Sequence, residues 1–379
     1  MYKRILNLSN LVVKNSYFLF GPRTTGKTSL IKNELPDAIT FDLLEGDIYD
    51  EFQRRSQALA DKILNSKKIV VIDEIQKLPI LLDEVHRLIE KNGTRFLLTG
   101  SSTRKLRKEG VNMLGGRARE AHLFPLVSAE ISDFNLLKYL RFGGLPRVYQ
   151  SENPIEDLKA YGRIYLNEEI KMEAAVRNYD RFVRFMETMA LSNGQEINYA
   201  ALSSDSGVPA RTIEGYIEVL KDTLIGFELM PYNKTLKRKA TTKSKFYFFD
   251  CGVANYFAGR LPLADNSSDL GVSFEHFMIQ EIRAYLSYNK MNKNMTYWRT
   301  RDYKVDLIIG NDLAIEFKFS KIFKPDFLNG LQALREEQLL KKYCLVGRFE
   351  SSGRNQDIDY FSYTDFLKNL WAGKIIKAS

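Results

Sequence analysis

Cysteine is scarce in this chain of 379 residues, which contains only Cys251 and Cys344. Two such cysteines cannot build a disulfide framework, and their positions lack the CxxC or Cys/His spacing of a zinc site. The sequence also has no apolar run of about 18 residues and no signal-peptide core behind its Met-Tyr-Lys-Arg start. These absences predict a protein of the reducing cytoplasm without a membrane-spanning segment.

Compositional bias and internal repeats are absent as well. Hydrophobic residues make up 44% of the chain, aromatic residues 12% and charged residues 27%. This balance excludes collagen-like and natively unfolded classes. At about 150 residues per domain, the length predicts two or three folded domains. The net charge of +9 is compatible with a phosphate-rich partner, because basic groups release counterions from nucleic acid.

Short apolar runs alternate with helix-length stretches in the first 125 residues. The runs cover residues 16–20, 38–41, 69–72 and 95–99, and turn-forming residues bound them. Such alternation is typical of parallel strands that are buried on both faces. The sequence therefore predicts an α/β fold for this region.

The middle of the chain has a helical period instead. Between about residues 136 and 222 the apolar residues recur at helical spacing, and Gly207-Val208-Pro209 separates two short helices. Strands predicted at residues 227–232 and 246–249 follow them. A helix-turn-helix followed by a hairpin predicts a winged-helix domain.

A third region begins after the turn-rich residues 265–269. A helix from Gly271 leads into strands predicted at residues 304–309 and 313–319, which is an α/β pattern. We therefore predict an α/β multidomain chain, with domains at residues 1–150, 151–264 and 265–379.

A phosphate-binding motif follows the first predicted strand. Residues 21–28 read GPRTTGKT, which matches GxxxxGK[ST] between a strand and a helix. The amides of such a loop surround nucleotide phosphates, its lysine neutralises the β- and γ-phosphates, and its last hydroxyl ligates Mg²⁺. A nucleoside triphosphate and Mg²⁺ are the expected cofactors. The predicted site comprises Gly21, Pro22, Arg23, Thr24, Thr25, Gly26, Lys27, Thr28 and Ser29.

Two acids end the third predicted strand. Asp73 and Glu74 follow the apolar run IVVI, and the carboxyl end of a parallel strand lies beside the phosphates. We predict that Asp73, with Thr28, holds Mg²⁺ and that Glu74 orients and polarises the attacking water. The next strand ends in hydroxyls, so Thr99 is predicted either to contact the γ-phosphate or that water, or simply to close a turn.

The segments GPRTTGKTSL, VVIDEIQKLP, LLTGSS and GGRAREAHLFPLVSAE occur in this order. Together they resemble an AAA+-type ATPase family of archaea and bacteria, over nearly the whole chain. The resemblance implies ATP as the nucleotide and a homo-oligomer, in which Arg117 or the nearby Arg119 reaches the nucleotide of an adjacent subunit. It also implies that Gly143-Gly144-Leu145-Pro146 belongs to a helical lid, with Pro146 against the nucleotide.

Acidic residues interrupt the two apolar strands of the third domain. Adjacent strands would bring Asp306 and Glu316 close enough to share a divalent metal, with Lys318 beside a nucleophilic water. This pattern resembles the PD-(D/E)xK restriction-endonuclease-like fold, including the archaeal Holliday-junction resolvases. The resemblance implies a further glutamate on the preceding helix, with Glu275 as the candidate and Glu281 in reserve. Whether such a centre cleaves nucleic acid is left open.

Six basic residues and no acid lie on the predicted wing of the winged helix. They are predicted to contact DNA phosphates without reading bases. A solvated loop and a protein-binding module are the alternatives. The six residues are Lys234, Lys237, Arg238, Lys239, Lys243 and Lys245.

Three hypotheses about function follow from these motifs. The leading one is an ATP-hydrolysing, homo-oligomeric protein that acts on duplex or branched DNA such as a Holliday junction, as a translocase or branch-migration motor. The second is a nucleotide-controlled signalling switch whose winged helix binds a protein partner. The third is an ATP-gated nuclease effector.

Overall fold

The computed structural model describes residues 2–64, 66–104, 106, 116–172 and 176–377. The chain forms two compact units. The first comprises Met1–Pro125 with Glu218–Ile225, and the second comprises Leu126–Ile217 with Gly226–Ser379. Across the described ranges, no helix combines the length and apolarity that crossing a membrane requires.

The first unit is built on a parallel sheet, which confirms the α/β prediction. The four predicted strands are present within one residue of their expected ends, in the sheet order β2-β3-β4-β1-β5. The edge strand β5 was not predicted, because its sequence AREAH is mostly polar and only its fourth residue is buried. The strands are β1 (Ser16–Phe20), β2 (Ile39–Asp42), β3 (Val70–Asp73), β4 (Phe96–Gly100) and β5 (Ala118–His122).

Helices cover this sheet because each carries one apolar stripe. In the longest of them, Leu81, Val85 and Leu88 are buried at helical spacing against the core that the strands share. The consecutive strands β1, β3 and β4 are fully buried, as expected for parallel strands covered on both faces. The helices are α1 (Leu8–Leu11), α2 (Lys27–Glu34), α3 (Gly46–Arg54), α4 (Ala58–Lys62) and α5 (Leu81–Asn92), with a 3₁₀ turn at Ile75–Lys77.

The rest of the chain contains the predicted helices and a second sheet. The helix-turn-helix pattern is present, since Gly207 ends one short helix in the left-handed conformation before the next begins at Ala210. The helices are α6 (Leu136–Phe142), α7 (Pro146–Gln150), α8 (Pro154–Ile164), α9 (Tyr179–Leu191), α10 (Tyr199–Ser206), α11 (Ala210–Asp222), α12 (Cys251–Phe257), α13 (Asp269–Tyr288), α14 (Asn329–Arg335) and α15 (Tyr363–Trp371). A π-helical stretch covers Tyr165–Met172, and 3₁₀ turns lie at Ser128–Glu130 and Pro325–Leu328.

One sheet continues through both the middle and the last part of the chain, in the order β12-β13-β11-β10-β9-β8-β6-β7. The predicted hairpin is present, with Gly226 opposite Phe248. Its first strand also pairs in parallel with β8, so the hairpin extends the last sheet. The strands are β6 (Gly226–Pro231), β7 (Lys245–Phe248), β8 (Met295–Arg299), β9 (Lys304–Ile309), β10 (Leu313–Lys318), β11 (Lys342–Gly347), β12 (Gly353–Asn355) and β13 (Ile358–Ser362). Both cysteines are free and buried in this unit.

A buried aspartate fixes the turn between α6 and α7. The carboxylate of Asp250 accepts hydrogen bonds from the amides of Gly144 (2.7 Å) and Val253 (3.1 Å). Gly143 has φ 76°, and a Cβ placed there would lie 1.9 Å from Asp250 Oδ1. Glycine is therefore required both by the backbone conformation and by the close approach of the carboxylate.

Replacing Gly143 by alanine should destabilise the second unit by about 2–4 kcal/mol, because the methyl group displaces Asp250 and the backbone is strained. Urea unfolding followed by tryptophan fluorescence measures this unit, since Trp298 and Trp371 both lie in it. Gly215→Ala is the matched control. It lies inside α11 with no atom within 4 Å of the added Cβ, so a gain of about 0.5–1 kcal/mol is expected. Equal stability of the two variants would contradict this account.

Candidate functional site

The phosphate-binding motif forms the turn from β1 into α2. Gly26 precedes the helix with φ 97°, and Thr24 also has a positive φ of 61°. A Cβ on Gly21 would lie 2.6 Å from the carbonyl oxygen of Leu123, so only glycine fits there. The loop is thus held with its backbone amides at the amino end of a helix, the arrangement that binds phosphate.

Lys27 lies buried within this loop. Its Nζ donates to the carbonyl oxygens of Gly21 (2.7 Å) and Pro22 (3.2 Å). Arg4 supports the loop from outside the motif, with hydrogen bonds to the carbonyls of Thr25 (2.8 Å) and Phe124 (2.6 Å). No sequence pattern points to Arg4, because a lone arginine belongs to no motif.

The hydroxyl of Thr28 donates to Asp73 Oδ2 at 3.0 Å, and Thr99 donates to the other carboxylate oxygen. Burial raises the pKa of Asp73, and the neighbouring charges of Glu74 and Asp42 raise it further, against the hydrogen bonds that lower it. A hydroxyl and a carboxylate are the oxygen donors that Mg²⁺ takes in proteins. The residues present therefore fit the expected ion, which would be held by Thr28 and Asp73.

Glu74 is held in one orientation by its neighbours. It has a left-handed backbone (φ 59°), and its amide donates to Thr99 Oγ1 at 3.1 Å. Its carboxylate accepts from Ser101 Oγ (2.9 Å) and from the Gln76 amide. Burial raises its pKa, but the charge of Lys27 and these hydrogen bonds outweigh it, so the pKa lies below its ordinary value. Glu74 is therefore ionised at neutral pH.

Gln76 is the residue of this site that sequence reasoning missed. It is fully buried in a 3₁₀ turn, and its Nε2 contacts both Glu74 and Ser101 (3.2 Å). A Cβ on Gly100 would lie 2.9 Å from Gln76 Oε1, which explains glycine at the end of β4. The available signal was position: a glutamine two residues after Glu74, in the sequence Asp-Glu-Ile-Gln.

The two candidate arginines lie at the edge of the first sheet. Arg117 donates to Glu90 of the same chain, and Arg119 is exposed on β5. Gly115, which precedes them in the motif, lies outside the described residues. Pro146 is the first residue of α7, in the second compact unit, so its predicted contact with the nucleotide stays a prediction.

The six basic residues between Lys234 and Lys245 do not all project into solvent, as a DNA-binding wing would require. Lys237 donates to the carbonyl of Glu336 (2.6 Å), and Arg238 forms a 2.5 Å ion pair with that residue. Lys234 donates to Asn311 (3.2 Å), while Lys239 and Lys243 are exposed. Lys245, predicted to be part of an exposed wing, is buried instead, because its position begins β7 and faces the acids described next.

The acids of the last domain form a buried cluster with lysines. Lys304 Nζ lies 3.1 Å from Asp306, and Lys318 Nζ lies 2.5 Å from Glu316. Lys245 pairs with Glu275 at 2.9 Å. Glu275 also accepts a 2.6 Å hydrogen bond from the hydroxyl of Tyr247, and Asp306 accepts one from the amide of Phe317 (3.0 Å). The structure thus brings the four predicted residues into one cluster and adds Lys304, Lys245 and Tyr247.

The acids of this cluster have opposite pKa shifts. Burial raises the pKa of Asp306, but the charges of Lys304, Lys245 and Lys318 outweigh it and hold the pKa below its ordinary value. Burial and the negative charge of Asp306 raise the pKa of Glu316 to about 8. Two nearby carboxylates do not both ionise easily, which is the physical cause of this split.

Glu281, the reserve for Glu275, lies elsewhere. Its carboxylate accepts from the amide (2.5 Å) and hydroxyl (3.0 Å) of Ser128 and from the indole of Trp371 (2.8 Å). Six residues after Glu275, Glu281 is more than one turn further along α13, where α15 and the Ser128–Glu130 turn approach the helix. Burial raises its pKa to about 7 despite these hydrogen bonds.

Three family models match successive parts of the chain. An AAA domain matches residues 13–132, a domain of unknown function (DUF8612) matches residues 133–264, and another (DUF4143) matches residues 270–366. The first part of the chain therefore carries a P-loop domain of the AAA type. This result agrees with the loop geometry and with the parallel sheet.

Several curated proteins are similar to this chain in sequence over most of its length. Uncharacterized proteins of Mycobacterium tuberculosis and Mycobacterium bovis are 28% identical over 319 residues, which cover 79% of this chain and 69% of theirs. An uncharacterized protein of Methanocaldococcus jannaschii is 26% identical over 278 residues, which cover 66% of this chain and 60% of that one.

One solved structure is similar in part. It is a Signal Transduction ATPase with Numerous Domains (STAND) protein with a tetratricopeptide repeat sensor from Pyrococcus horikoshii, with 15% sequence identity and a TM-score of 0.24. The match covers 76% of this chain and 47% of that chain. A TM-score this low carries no argument about fold.

The buried Glu281 predicts a pH dependence of stability. Its pKa is about 7 in the folded chain and about 4.3 in an unfolded one, so the folded state binds the extra proton between these values. The contribution of Glu281 to the free energy of unfolding should therefore fall by about 3 kcal/mol as the pH rises through this window. Glu281→Gln should lose this part of the pH dependence.

The measurement is urea unfolding of both proteins, followed by tryptophan fluorescence, at about pH 5 and about pH 8. Burial lowers the pKa of His276 to about 4, which gives stability the opposite slope in the same range. This slope is common to both proteins, so their difference isolates Glu281. If the two proteins differed in their free energy of unfolding by the same amount at both pH values, Glu281 would not be the source of this pH dependence.

Proposed function

We propose that the chain binds ATP with Mg²⁺ at residues 21–28 and hydrolyses it with Glu74 as the group that polarises the attacking water. The observation that carries this proposal is the orientation of the Glu74 carboxylate, which Ser101 and Gln76 hold by hydrogen bonds. A general base must be ionised and oriented before the reaction, and this one is both.

The surrounding residues divide the remaining tasks. The loop amides and the amino end of α2 bind the phosphates, and Lys27 neutralises the charge on the β- and γ-phosphates. Lys27 is already buried in the loop, so it needs only to exchange carbonyl partners for phosphate oxygens. Thr28 and Asp73 would hold Mg²⁺, which supplies positive charge against the phosphates when it is bound.

We propose a nucleotide-controlled switch as the biological role, ahead of a DNA motor. A motor that tracks DNA needs several free cations along its path. Of the six basic residues, Lys245 is buried, and Lys237 and Arg238 are bonded to the segment around Glu336. Half of the predicted basic stretch is thus engaged within the chain, so an effector surface of the second unit for a protein partner is the better-supported output.

DNA binding, to duplex or branched forms, is the second candidate. Lys239 and Lys243 are exposed, and Lys234 bonds only to a neutral amide among the contacts described. A homo-oligomer also belongs to the proposal, with Arg119 or Arg117 acting in trans. Arg119 is on an exposed edge strand, while Arg117 must first leave Glu90.

Glu74→Gln should lower ATP turnover by about 10²–10⁴-fold, because the amide cannot accept a proton from the water. ATP affinity should be nearly unchanged, since the phosphates bind to the loop. Phosphate release measures turnover, and calorimetry with a non-hydrolysable analogue measures affinity.

The matched control is Glu84→Gln. Glu84 is a buried glutamate of the same unit that pairs with Arg87 within α5. This variant should keep turnover near the wild-type rate. If Glu74→Gln retained most of the activity, Glu74 would not be the base and this part of the proposal would be wrong.

The switch and the DNA motor differ in their response to DNA. We expect ATP turnover to be indifferent to linear duplex and to a four-way junction. The DNA candidate instead requires acceleration, and Lys239→Glu with Lys243→Glu would then reduce the slope of log affinity against log salt by about 2.

Lys374→Glu with Lys377→Glu is the control for this experiment. It makes the same change of charge at exposed positions of the same unit. Acceleration that the first double variant loses and this one keeps would establish DNA as the ligand and overturn the switch.

A further inference from the structure

The buried acids of the last sheet are each matched by an ammonium group. Asp306 is fully buried beside Lys304 on β9, and Glu316 is buried beside Lys318 on β10. The third pair joins Lys245 on β7 to Glu275 on α13. Each of the three carboxyl groups thus has an ammonium group at ion-pair distance.

Most carboxylate oxygen atoms of these acids already accept hydrogen bonds within the chain. Asp306 accepts from Lys304 at one oxygen and from the Phe317 amide at the other. One oxygen of Glu275 accepts from both Lys245 and Tyr247. Only Glu316 Oε2 is buried without a hydrogen bond to any described residue.

One such oxygen does not make a site for a divalent ion. Mg²⁺ and Mn²⁺ need several oxygen ligands, normally from more than one ionised carboxylate. The described part of the chain contains no group of three acids, histidines or cysteines arranged to hold a metal. The residues present therefore do not fit the ion that the nuclease-like pattern implies.

Two lysines account for this misfit. Lys318 belongs to the Glu-x-Lys pattern, but Lys304 and Lys245 come from outside it. Lys304 precedes Asp306 by two residues and so lies on the same face of β9. Lys245 is contributed by the hairpin, which joins this sheet through β6 and β8.

We propose that Lys304 and Lys245 take the place of the divalent cation, and that the cluster is a metal-independent ion-pair core. The last domain then does not cut nucleic acid by divalent-metal hydrolysis. Its Lys245–Glu275 pair instead fastens β7, from the middle of the chain, to α13. This inference is independent of ATP hydrolysis, because it concerns residues of the second unit only.

Binding of Mn²⁺ to the full chain, without nucleotide, tests the proposal directly. Electron paramagnetic resonance of free Mn²⁺ is compared for the wild type, Asp306→Asn and Glu316→Gln. We expect the three titrations to coincide. A Mn²⁺ ion bound by the wild type and lost in either variant would overturn the proposal.

The reciprocal variant is Lys304→Met, which removes the ammonium group beside Asp306. The side chain of Lys304 is half-exposed, so this variant should fold. Mn²⁺ should raise its unfolding temperature but not that of the wild type, and adding Glu316→Gln should abolish the response. Lys341→Met is the control, because it breaks the exposed pair with Asp312 outside the cluster. If Lys304→Met gains no response, the lysine does not stand in a cation's place and the proposal is wrong.

Cleavage provides a third readout. Plasmid DNA incubated with Mn²⁺ should be nicked no faster by the wild type than by Glu316→Gln. Nicking by the wild type that Glu316→Gln and Lys318→Ala both lose would show a working metal-dependent nuclease and would overturn the proposal.

Discussion

A buried carboxylate needs a compensating partner, and this requirement shapes both compact units of the chain. Removing an ionised acid from water costs several kcal/mol unless hydrogen bonds or an opposite charge replace the water. Asp73, Glu74, Asp250, Glu281, Asp306 and Glu316 are all buried. Some of these acids have neutral hydrogen-bond donors as partners and others have lysine ammonium groups. The kind of partner decides whether the acid can still act on water or on a metal ion.

The acids of the nucleotide site have neutral partners. Glu74 is held by an amide and a hydroxyl, and Asp73 by two hydroxyls. Neutral donors orient a carboxylate without cancelling its charge, so it remains able to polarise water or to hold a metal ion. The cation nearby, Lys27, donates to carbonyl oxygens of the loop that phosphate oxygens can replace. This arrangement suits a site that must exchange ligands.

The acids of the last sheet have lysines as partners, and the consequence is opposite. An ammonium group compensates the negative charge of the acid, occupies one of its oxygen atoms and leaves little for a metal ion to bind. Because Lys245 comes from the hairpin, its pair with Glu275 also joins the middle of the chain to its last part within the second unit.

The parallel sheet, the phosphate loop and the acidic pair Asp73 and Glu74 could be predicted from the sequence alone, because their signals lie within a few adjacent residues. Period and motif suffice for such local features. The folded chain was needed to show that Gln76 orients Glu74, that Lys304 and Lys245 pair with Asp306 and Glu275, and that Glu281 lies apart from this cluster. These contacts depend on strand order and on which face of a helix a residue occupies. The pairing of β6 with β8 joins residues more than sixty positions apart, and no local pattern records a pairing of that kind.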